Sequence, residues 1–176
     1  SAIVFLLKLQ LLNEKILFAV LIFGGITSLV MRKYKIPFLY NILLFFERPA
    51  DLRNFPGRGS FFLVLGSLLS LIFFRRDIAL ATIAIMAVGD AITTIVGTYF
   101  GKIKNPFNRN KHLEGTVLAI FASTLAAFFF VDFEKSFLAS AAGMLVESIT
   151  MRYVTQIIDD NVIIPIVAGI VMTWMG

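Results

Sequence analysis

An acidic residue inside an apolar stretch is the first feature of the sequence that could do chemistry. Asp90 lies near the middle of the run Ile78–Phe100, where an ionisable group is costly unless it is paired or hydrated. At 100° per residue, Thr94, Gly97 and Gly101 fall within about 40° of Asp90 on a helix. Glycines on such a face admit another backbone or a ligand. We interpret this face as functional, the alternative being a helix-packing face with one hydrogen-bonded Asp.

A basic loop, 102–114, follows this run. Its four cations are Lys102, Lys104, Arg109 and Lys111. Such a density of positive charge suits a polyphosphate, but a solvated loop whose Glu114 favours a helix start explains it equally well. His112 is expected at the surface or against a phosphate rather than as a general base.

Acidic residues cluster again near the C-terminus. Glu147 lies late in the run Ser136–Met151, and Asp159-Asp160-Asn161 precede the last apolar run. One Asp before a helix is most often an N-cap, and two adjacent acids exceed what a cap needs. Carboxylates are ligands that Mg²⁺ takes, usually one or two together with substrate phosphates. A cap and a metal site both stay open at this point.

A Pro-Gly turn lies upstream of these residues, at 55–59. Gly57 would let the backbone turn into a helix. The turn is either punctuation or a place where the backbone approaches a ligand, with Arg58 beside it.

Composition decides the class of protein that presents these groups. Of the 176 residues 59% are hydrophobic, 19 are Phe, and the mean hydropathy is +0.89, which is too apolar for a soluble domain. The sequence has no Cys and one His, so disulfides, thiol catalysis, Cys-ligated zinc and multi-histidine metal sites are excluded. The net charge of +5 is attributed to cytoplasmic loops and some phosphate binding, not to nucleic acid.

Apolar runs predict an all-α, polytopic bundle of about six or seven spanning helices, forming one integral membrane catalytic domain over residues 1–176. The long runs are Ile16–Met31, Gly59–Phe74, Ile78–Phe100, Gly115–Val131, Ser136–Met151 and Asn161–Met175. Ala2–Leu12 is interpreted as a clipped span, and Pro37–Phe46 as a short interfacial or re-entrant helix.

Loop charges predict the orientation. Three basic groups fall on one side if Pro37–Phe46 does not cross: residues 32–35, 48–58 and 102–111. The acidic turn 132–135 falls on the other side, as the excess of Lys and Arg in cytoplasmic loops requires. Arg75-Arg76-Asp77 is a misfit, since it lies with the acidic turn. The expected location is a prokaryotic plasma membrane with the charged loops facing the cytoplasm.

Taken together, these motifs resemble the CTP-dependent polyprenol kinase family, which includes dolichol kinases, phytol kinases and CTP-dependent diacylglycerol kinases. The resemblance covers roughly residues 47–170. It rests on Gly89-Asp90-Ala91, Gly97, Gly101-Lys102, Lys111-His112-Leu113-Glu114-Gly115-Thr116, Glu147, Asp159-Asp160-Asn161 and Ile164-Pro165, with Arg53, Pro56-Gly57, Gly59 and Gly66 upstream. Many members carry a small hydroxyl residue where this chain has His112, which puts a hydroxyl contact there in doubt.

The resemblance implies phosphoryl transfer from CTP to a membrane lipid alcohol, with Mg²⁺ or another divalent cation. Catalytic roles fall to Asp90, Lys111 and Glu114. Phosphate binding falls to Lys102, Lys104, Arg109, Lys111, His112, Gly97, Gly101 and Arg58. Metal binding falls to Asp159, Asp160, Asp90 and Glu147, and further motif positions are Asn161, Thr94 and Gly57. Asp90 suits either a metal ligand or the base, and the sequence does not choose.

Two other functions compete with this expectation. Phosphatidate cytidylyltransferases share a similar Lys-x-x-Glu-Gly element but carry a further C-terminal motif rich in His, Gly and Asp, which is absent here. A transporter would use Asp90 and Glu147 to line a path, but the acids cluster with loop cations and no inverted repeat is visible. The oligomeric state and the particular alcohol are not determined by the sequence.

Overall fold

The described part of the chain is helical. A computed structural model of the protein describes residues 13–34, 54–108, 111–149 and 159–176, together with residues 3, 4, 7, 40, 43 and 52. Six helices and no strand are defined there, which confirms the all-α prediction for these residues. The predicted segments Ala2–Leu12 and Pro37–Phe46 lie almost entirely outside this part.

Each long apolar run corresponds to one of these helices. They are α1 (Glu14–Lys33), α2 (Arg58–Phe73), α3 (Arg76–Tyr99), α4 (Leu113–Ala127), α5 (Phe133–Ile149) and α6 (Asp160–Trp174). One boundary differs in kind, because Phe133, Glu134 and Lys135 were read as a turn but form the first turn of α5. An acid in a first turn suits the positive end of the helix dipole.

Local sequence explains how several helices start. The Asn13 side chain accepts a hydrogen bond from the Ile16 amide at 3.0 Å and caps α1, while Asp159 caps α6 through the Asn161 amide. Gly57 precedes α2 with a φ of 84°, a left-handed conformation that glycine adopts without a Cβ penalty. The Pro-Gly turn therefore has a structural reason.

Helix α3 is the centre of the bundle and packs against α2, α4, α5 and α6. Its N-terminal half is buried from Ala79 to Met86. Small residues allow close contacts around it: a Cβ at Gly89 would overlap the Met144 side chain, and one at Gly66 would overlap the Asn161 carbonyl oxygen. Helix α1 packs on α2 at the edge of the bundle.

Two of the described helices, α1 and α3, are long and apolar enough to cross a membrane, and α2, α4 and α6 are shorter apolar helices. The predicted count of six or seven spans is therefore confirmed only in part. Large apolar side chains lie exposed on the outside of the bundle, among them Phe23 at 73% and Phe129 at 78%. A surface of this kind favours apolar surroundings.

The helices give the bundle two distinct ends. We call the site end the one where α2, α4 and α6 begin and α3 and α5 end, since side chains from these termini contact each other there. The far end carries Arg75, Asp77, Asp132 and Lys135 around a cleft of about 420 Å³. The acidic turn thus shares an end with Arg75, as predicted, and the membrane side of each end stays a prediction.

Candidate active site

Lys111 is the centre of the charged side chains at the site end. Its Nζ donates to Glu147 Oε1 at 2.8 Å, to the Glu147 carbonyl oxygen at 2.8 Å and to Asp160 Oδ2 at 3.1 Å. We call Lys111, Glu147 and Asp160 the Lys111 cluster. It joins the basic loop to the end of α5 and the start of α6, so three segments that are distant in sequence meet at one ammonium group.

The basic loop is held in place by its own backbone and by one buried side chain. The Asn105 amide donates to the Lys111 carbonyl oxygen at 2.9 Å, and the Leu113 amide donates to Ile103 at 3.0 Å. Asn105 is 1% exposed, and its Nδ2 donates to the Ser148 carbonyl oxygen at 3.1 Å. The loop is thereby anchored to α5, which brings Lys111 to Glu147.

Glu114 holds the beginning of this loop in place. Its Oε1 accepts hydrogen bonds from the Lys102 amide at 3.1 Å and the Ile103 amide at 2.9 Å. Backbone N–H groups, first its own and then those of Ile103 and Lys102, lower the pKa of Glu114 against an opposing effect of desolvation. Glu114 is thus a loop-positioning carboxylate, and its catalytic role stays a prediction.

The glycines predicted on the Asp90 face lie close to the His112 ring, and Gly115 lies close to the backbone of α3. A Cβ at Gly101 would overlap the His112 ring, and one at Gly97 would lie 3.5 Å from His112 Nδ1. A Cβ at Gly115 would lie 3.1 Å from the Thr93 carbonyl oxygen, so α4 starts tightly against α3. Close approach at these glycines is observed, and phosphate binding by Gly97, Gly101 and His112 stays a prediction.

The C-terminal half of α3 contributes an exposed carboxylate and a hydroxyl. Asp90 is exposed, and the charged groups that act on it are Glu147, Lys111, Asp160 and Asp159. Thr93 Oγ1 lies 3.0 Å from the Asp90 carbonyl oxygen and 3.1 Å from Glu147 Oε1.

The contact between Thr93 and Glu147 was missed by the helical-face argument. That argument selected Thr94, which is exposed. Only the packing of α5 beside α3 decides which of the two hydroxyls meets the glutamate, so periodicity within α3 carried no signal for it.

Asp159 and Arg58 form a second pair at the site end. Arg58 Nε lies 3.4 Å from Asp159 Oδ2, and its guanidinium lies over the Phe62 ring at 5.4 Å. Asp159 Oδ1 accepts from the Asn161 amide at 3.2 Å and from Asn161 Nδ2 at 2.8 Å. Asp159 is therefore the helix cap of the acidic pair, while Asp160 turns to Lys111.

Burial and charge oppose one another within the Lys111 cluster. Burial acts to lower the pKa of Lys111, but the carboxylates of Glu147 and Asp160 outweigh it and raise the pKa above its usual value. Burial, together with the neighbouring carboxylates of Glu147 and Asp159, raises the pKa of Asp160 although the Lys111 ammonium group acts to lower it. Lys111 is thus a firmly protonated cation at neutral pH.

Two oxygens of the cluster have no hydrogen-bond partner among the described residues. They are Glu147 Oε2 and Asp160 Oδ1, and both atoms are buried. Leaving a buried carboxylate oxygen unpaired is costly, so a cation or donor from outside the described residues would complete them. No group of three or more Asp, Glu, His or Cys side chains able to hold a metal is found within the described ranges, yet two carboxylates satisfy Mg²⁺ when phosphates supply further oxygens.

The remaining predicted cations lie around this cluster or outside the described residues. Lys102 and Lys104 are exposed on the loop, where they can meet an anion from water. Arg109 falls outside the described residues, as does Arg53 of the upstream motif. The site thus combines one buried and one half-buried carboxylate, Glu147 and Asp160, with cations from a loop, an arrangement that can hold phosphate oxygens and a metal ion together.

Comparison with known proteins finds sequence similarity to proteins named as kinases of isoprenoid alcohols. The chain is 28% identical over 150 residues to a probable phytol kinase 2, chloroplastic, of Glycine max. It is 30% identical over 131 residues to a probable phytol kinase, chloroplastic, of Zea mays, and 30% identical over 126 residues to the farnesol kinase, chloroplastic, of Arabidopsis thaliana. No protein-family model and no solved structure matches the chain.

These similarities confirm the resemblance to the polyprenol kinase family that the motifs predicted. The matches cover 76%, 65% and 64% of this chain, respectively, and 49%, 42% and 41% of the three relatives. The chain thus spans less than half the length of these curated relatives.

Proposed function

We propose that the chain is a lipid kinase that transfers the γ-phosphate of CTP to the hydroxyl of a membrane isoprenoid alcohol of the dolichol or polyprenol type. The observation that carries the proposal is the Lys111 cluster, in which one ammonium group joins two carboxylates beside a basic loop. Phosphoryl transfer depends on positioning and on neutralising charge rather than on covalent chemistry by the protein. The names of the similar proteins support an isoprenoid alcohol as the acceptor.

The described side chains suit separate parts of this reaction. The alcohol oxygen attacks the γ-phosphorus, the bond to the β–γ bridging oxygen breaks, and CDP leaves with that electron pair. Lys111 and Lys102 are placed to offset charge on the phosphate oxygens. Asp90, on the exposed face of α3 beside the cluster, is the carboxylate that orients the alcohol and accepts its proton.

Mg²⁺ or a similar divalent ion fits the free carboxylate oxygens of this site. Glu147 Oε2 and Asp160 Oδ1 would hold it, with Asp159 and Asp90 as the further predicted ligands. When bound, such an ion neutralises charge on donor phosphate oxygens. One ammonium group facing several carboxylates leaves negative charge that a divalent cation would balance.

The arrangement of the bundle fits a reaction at a membrane surface. We propose a single integral membrane domain in which α1 and α3 span the bilayer together with some of the shorter helices, and whose site end faces the cytoplasm. A soluble nucleotide would reach Lys102 and Lys104 from water. The alcohol would arrive from the apolar layer that surrounds the exposed side chains of α1.

Separately labelled CTP tests the proposal. The full chain in membranes is given farnesol, phytol, geranylgeraniol or dolichol with CTP labelled at the α or the γ phosphate, and with ATP as a parallel donor. Label from the γ position in the lipid product is expected. Label from the α position would identify a cytidylyltransferase, and a folded protein that labels none of these alcohols would overturn the proposal.

A further inference from the structure

A second, apolar cleft lies between α1 and α2. Its volume is about 210 Å³, and its lining includes Val20, Phe23, Gly24, Ser28, Phe61 and Val64. On α1 the lining runs from Val20 to Met31, a distance of about 16 Å at 1.5 Å per residue. The cleft is thus long, narrow and made mainly of hydrocarbon, a shape that suits a linear apolar chain.

One buried polar atom in this cleft, the Ser28 hydroxyl oxygen, has no hydrogen-bond partner among the described residues. Ser28 is 2% exposed, and no described residue makes a hydrogen bond with its Oγ. The neighbouring hydroxyl of Thr27 already donates to the Phe23 carbonyl oxygen at 2.8 Å. A buried hydroxyl without a partner costs free energy unless something else supplies the hydrogen bond, so the cleft is built for an occupant that carries a polar atom.

The cleft adjoins the site through the start of α2. Pro56, Gly57 and Ser60 belong to its lining, and Arg58 between them pairs with Asp159. The outer surface of α1 next to the cleft is apolar and exposed, as at Phe23 and Ile26. A lipid could therefore enter from the bilayer and lie beside the start of α2, where Arg58 pairs with Asp159.

We propose that this cleft binds the isoprenyl chain of the acceptor alcohol and that Ser28 Oγ hydrogen-bonds the alcohol oxygen. The inference rests on the proposed kinase function, because it names the place where the acceptor of that reaction binds. The apolar lining recognises the branched hydrocarbon, and the buried, unpaired hydroxyl of Ser28 recognises the single polar end. Charged lipids fit worse, since no ionised side chain lines the cleft among the described residues.

Gly24 offers a way to fill the cleft without disturbing the helix. A Cβ at this position meets no atom within 4 Å, so Gly24→Phe places a ring in the space meant for the lipid. We expect the KM for farnesol and phytol to rise about tenfold or more, the scale on which apolar pockets discriminate. The KM for CTP, and for a five-carbon isoprenyl alcohol too short to reach Gly24, should stay at the wild-type value.

The matched control is Ile22→Phe, which adds a ring at an exposed position of α1 off the cleft and should change none of these constants. Ser28→Ala should raise the KM of every alcohol, including the short one, and leave that of CTP unchanged. If Gly24→Phe lowers the melting temperature, Gly24→Leu replaces it with the same expected pattern.

The two proposals fail in different ways. A wild-type chain that transfers no γ-phosphate to any alcohol removes the kinase proposal itself. Suppose that wild type, Gly24→Phe and Ile22→Phe all transfer phosphate, with the same dependence on the length of the alcohol's hydrocarbon chain. That result would overturn the proposed lipid cleft and leave the kinase function standing. An equal loss in Gly24→Phe and Ile22→Phe would also count against the cleft, because it would point to a general effect on α1.

Discussion

The two ends of the bundle both carry charged residues, but they hold them differently. At the site end Glu147 is 2% exposed and lies 2.8 Å from Lys111. At the far end Arg75 and Asp77 form a pair at 3.5 Å, with side chains 82% and 44% exposed. The partners at the site end are 36 residues apart in sequence, whereas those at the far end are two apart.

This difference shows what distinguishes the site end. Its ion-paired side chains are more buried and pair with residues distant in sequence, whereas the number of charges and the size of a cleft do not mark it. The far-end cleft, at about 420 Å³, is twice the volume of the cleft between α1 and α2. Glu147 is nevertheless the one ionisable side chain in the buried class among the described residues. Exposed local pairs are weak, while a buried carboxylate persists only where the fold supplies its partner.

Removing Lys111, the central cation of the site end, should have the largest effect on activity. Lys111→Met deletes the ammonium group that joins two carboxylates, and turnover should fall by about a thousandfold, as when a preorganised electrostatic contact is lost. The KM for CTP should rise as well. Arg75→Met, a cation removed from the far end, should leave both constants within about twofold, since exposed charges away from a site matter little. Steady-state kinetics on both variants provide the test.

A double variant separates catalysis from folding at the same position. Lys111→Met strands the Glu147 carboxylate in a buried place, which costs about 3–5 kcal/mol and should lower the melting temperature. Adding Glu147→Gln removes the stranded charge and should restore much of that temperature without restoring turnover. Recovery of turnover in the double variant would mean that Lys111 serves only to hold Glu147.

Asp90 and Asp77 compare the two ends within one helix, α3. Asp90→Asn keeps the shape and removes the charge, so turnover should fall by about a hundredfold, the scale of a positioned acid–base group. The melting temperature should stay level or rise. Asp77→Asn should change neither quantity. If Asp90→Asn instead loses thermal stability while what folds turns over normally, Asp90 is structural; melting temperature and kcat from one purified sample decide this.

The two adjacent acids at the start of α6 should differ in how strongly their substitution changes the Mg²⁺ requirement, and this effect should be smaller than the effects above. Asp160→Asn removes a carboxylate whose Oδ1 is unpaired, and the Mg²⁺ concentration at half-maximal activity should rise about tenfold or more. Asp159→Asn keeps the capping geometry, because Asn caps a helix as well as Asp does. It should change the Mg²⁺ concentration at half-maximal activity much less. Normal metal titrations in both variants would leave the pair as a helix start alone.

The sequence predicted the six helices well because each rests on an apolar run that only a helix can bury or present to lipid. The boundaries drifted where the first turn is polar. Phe133 begins α5 although Glu134 and Lys135 had indicated a turn, since a first turn needs charge compatible with the dipole rather than apolar residues. The segment Pro37–Phe46, in which a short helix was expected, lies largely outside the described residues.

The sequence also identified the charged members of the site by type, but not their partners. Lys111, Glu147 and Asp160 stood out as ions near apolar helices, and packing alone reveals that they meet. Asn105, the buried anchor of the loop, is revealed only by the packing of the loop against α5. A partner is set by the rotation and stagger of neighbouring helices, and no single run of sequence encodes those quantities.

The smallest expected effect belongs to the far-end pair and completes the comparison. Arg75 and Asp77 are exposed, so their attraction acts through water and should be worth no more than about 1 kcal/mol. A double-mutant cycle with Arg75→Met and Asp77→Asn, measured on the free energy of unfolding, should therefore give a coupling energy of that size or less. Added salt should remove this coupling energy, because screening acts fully on exposed charges. The same cycle for Lys111→Met and Glu147→Gln should give a larger coupling that salt leaves largely intact, since burial shields that pair. Equal couplings with equal salt dependence at the two ends would show that the Lys111 cluster is an ordinary surface network, and the physical ground for placing the active site there would be lost.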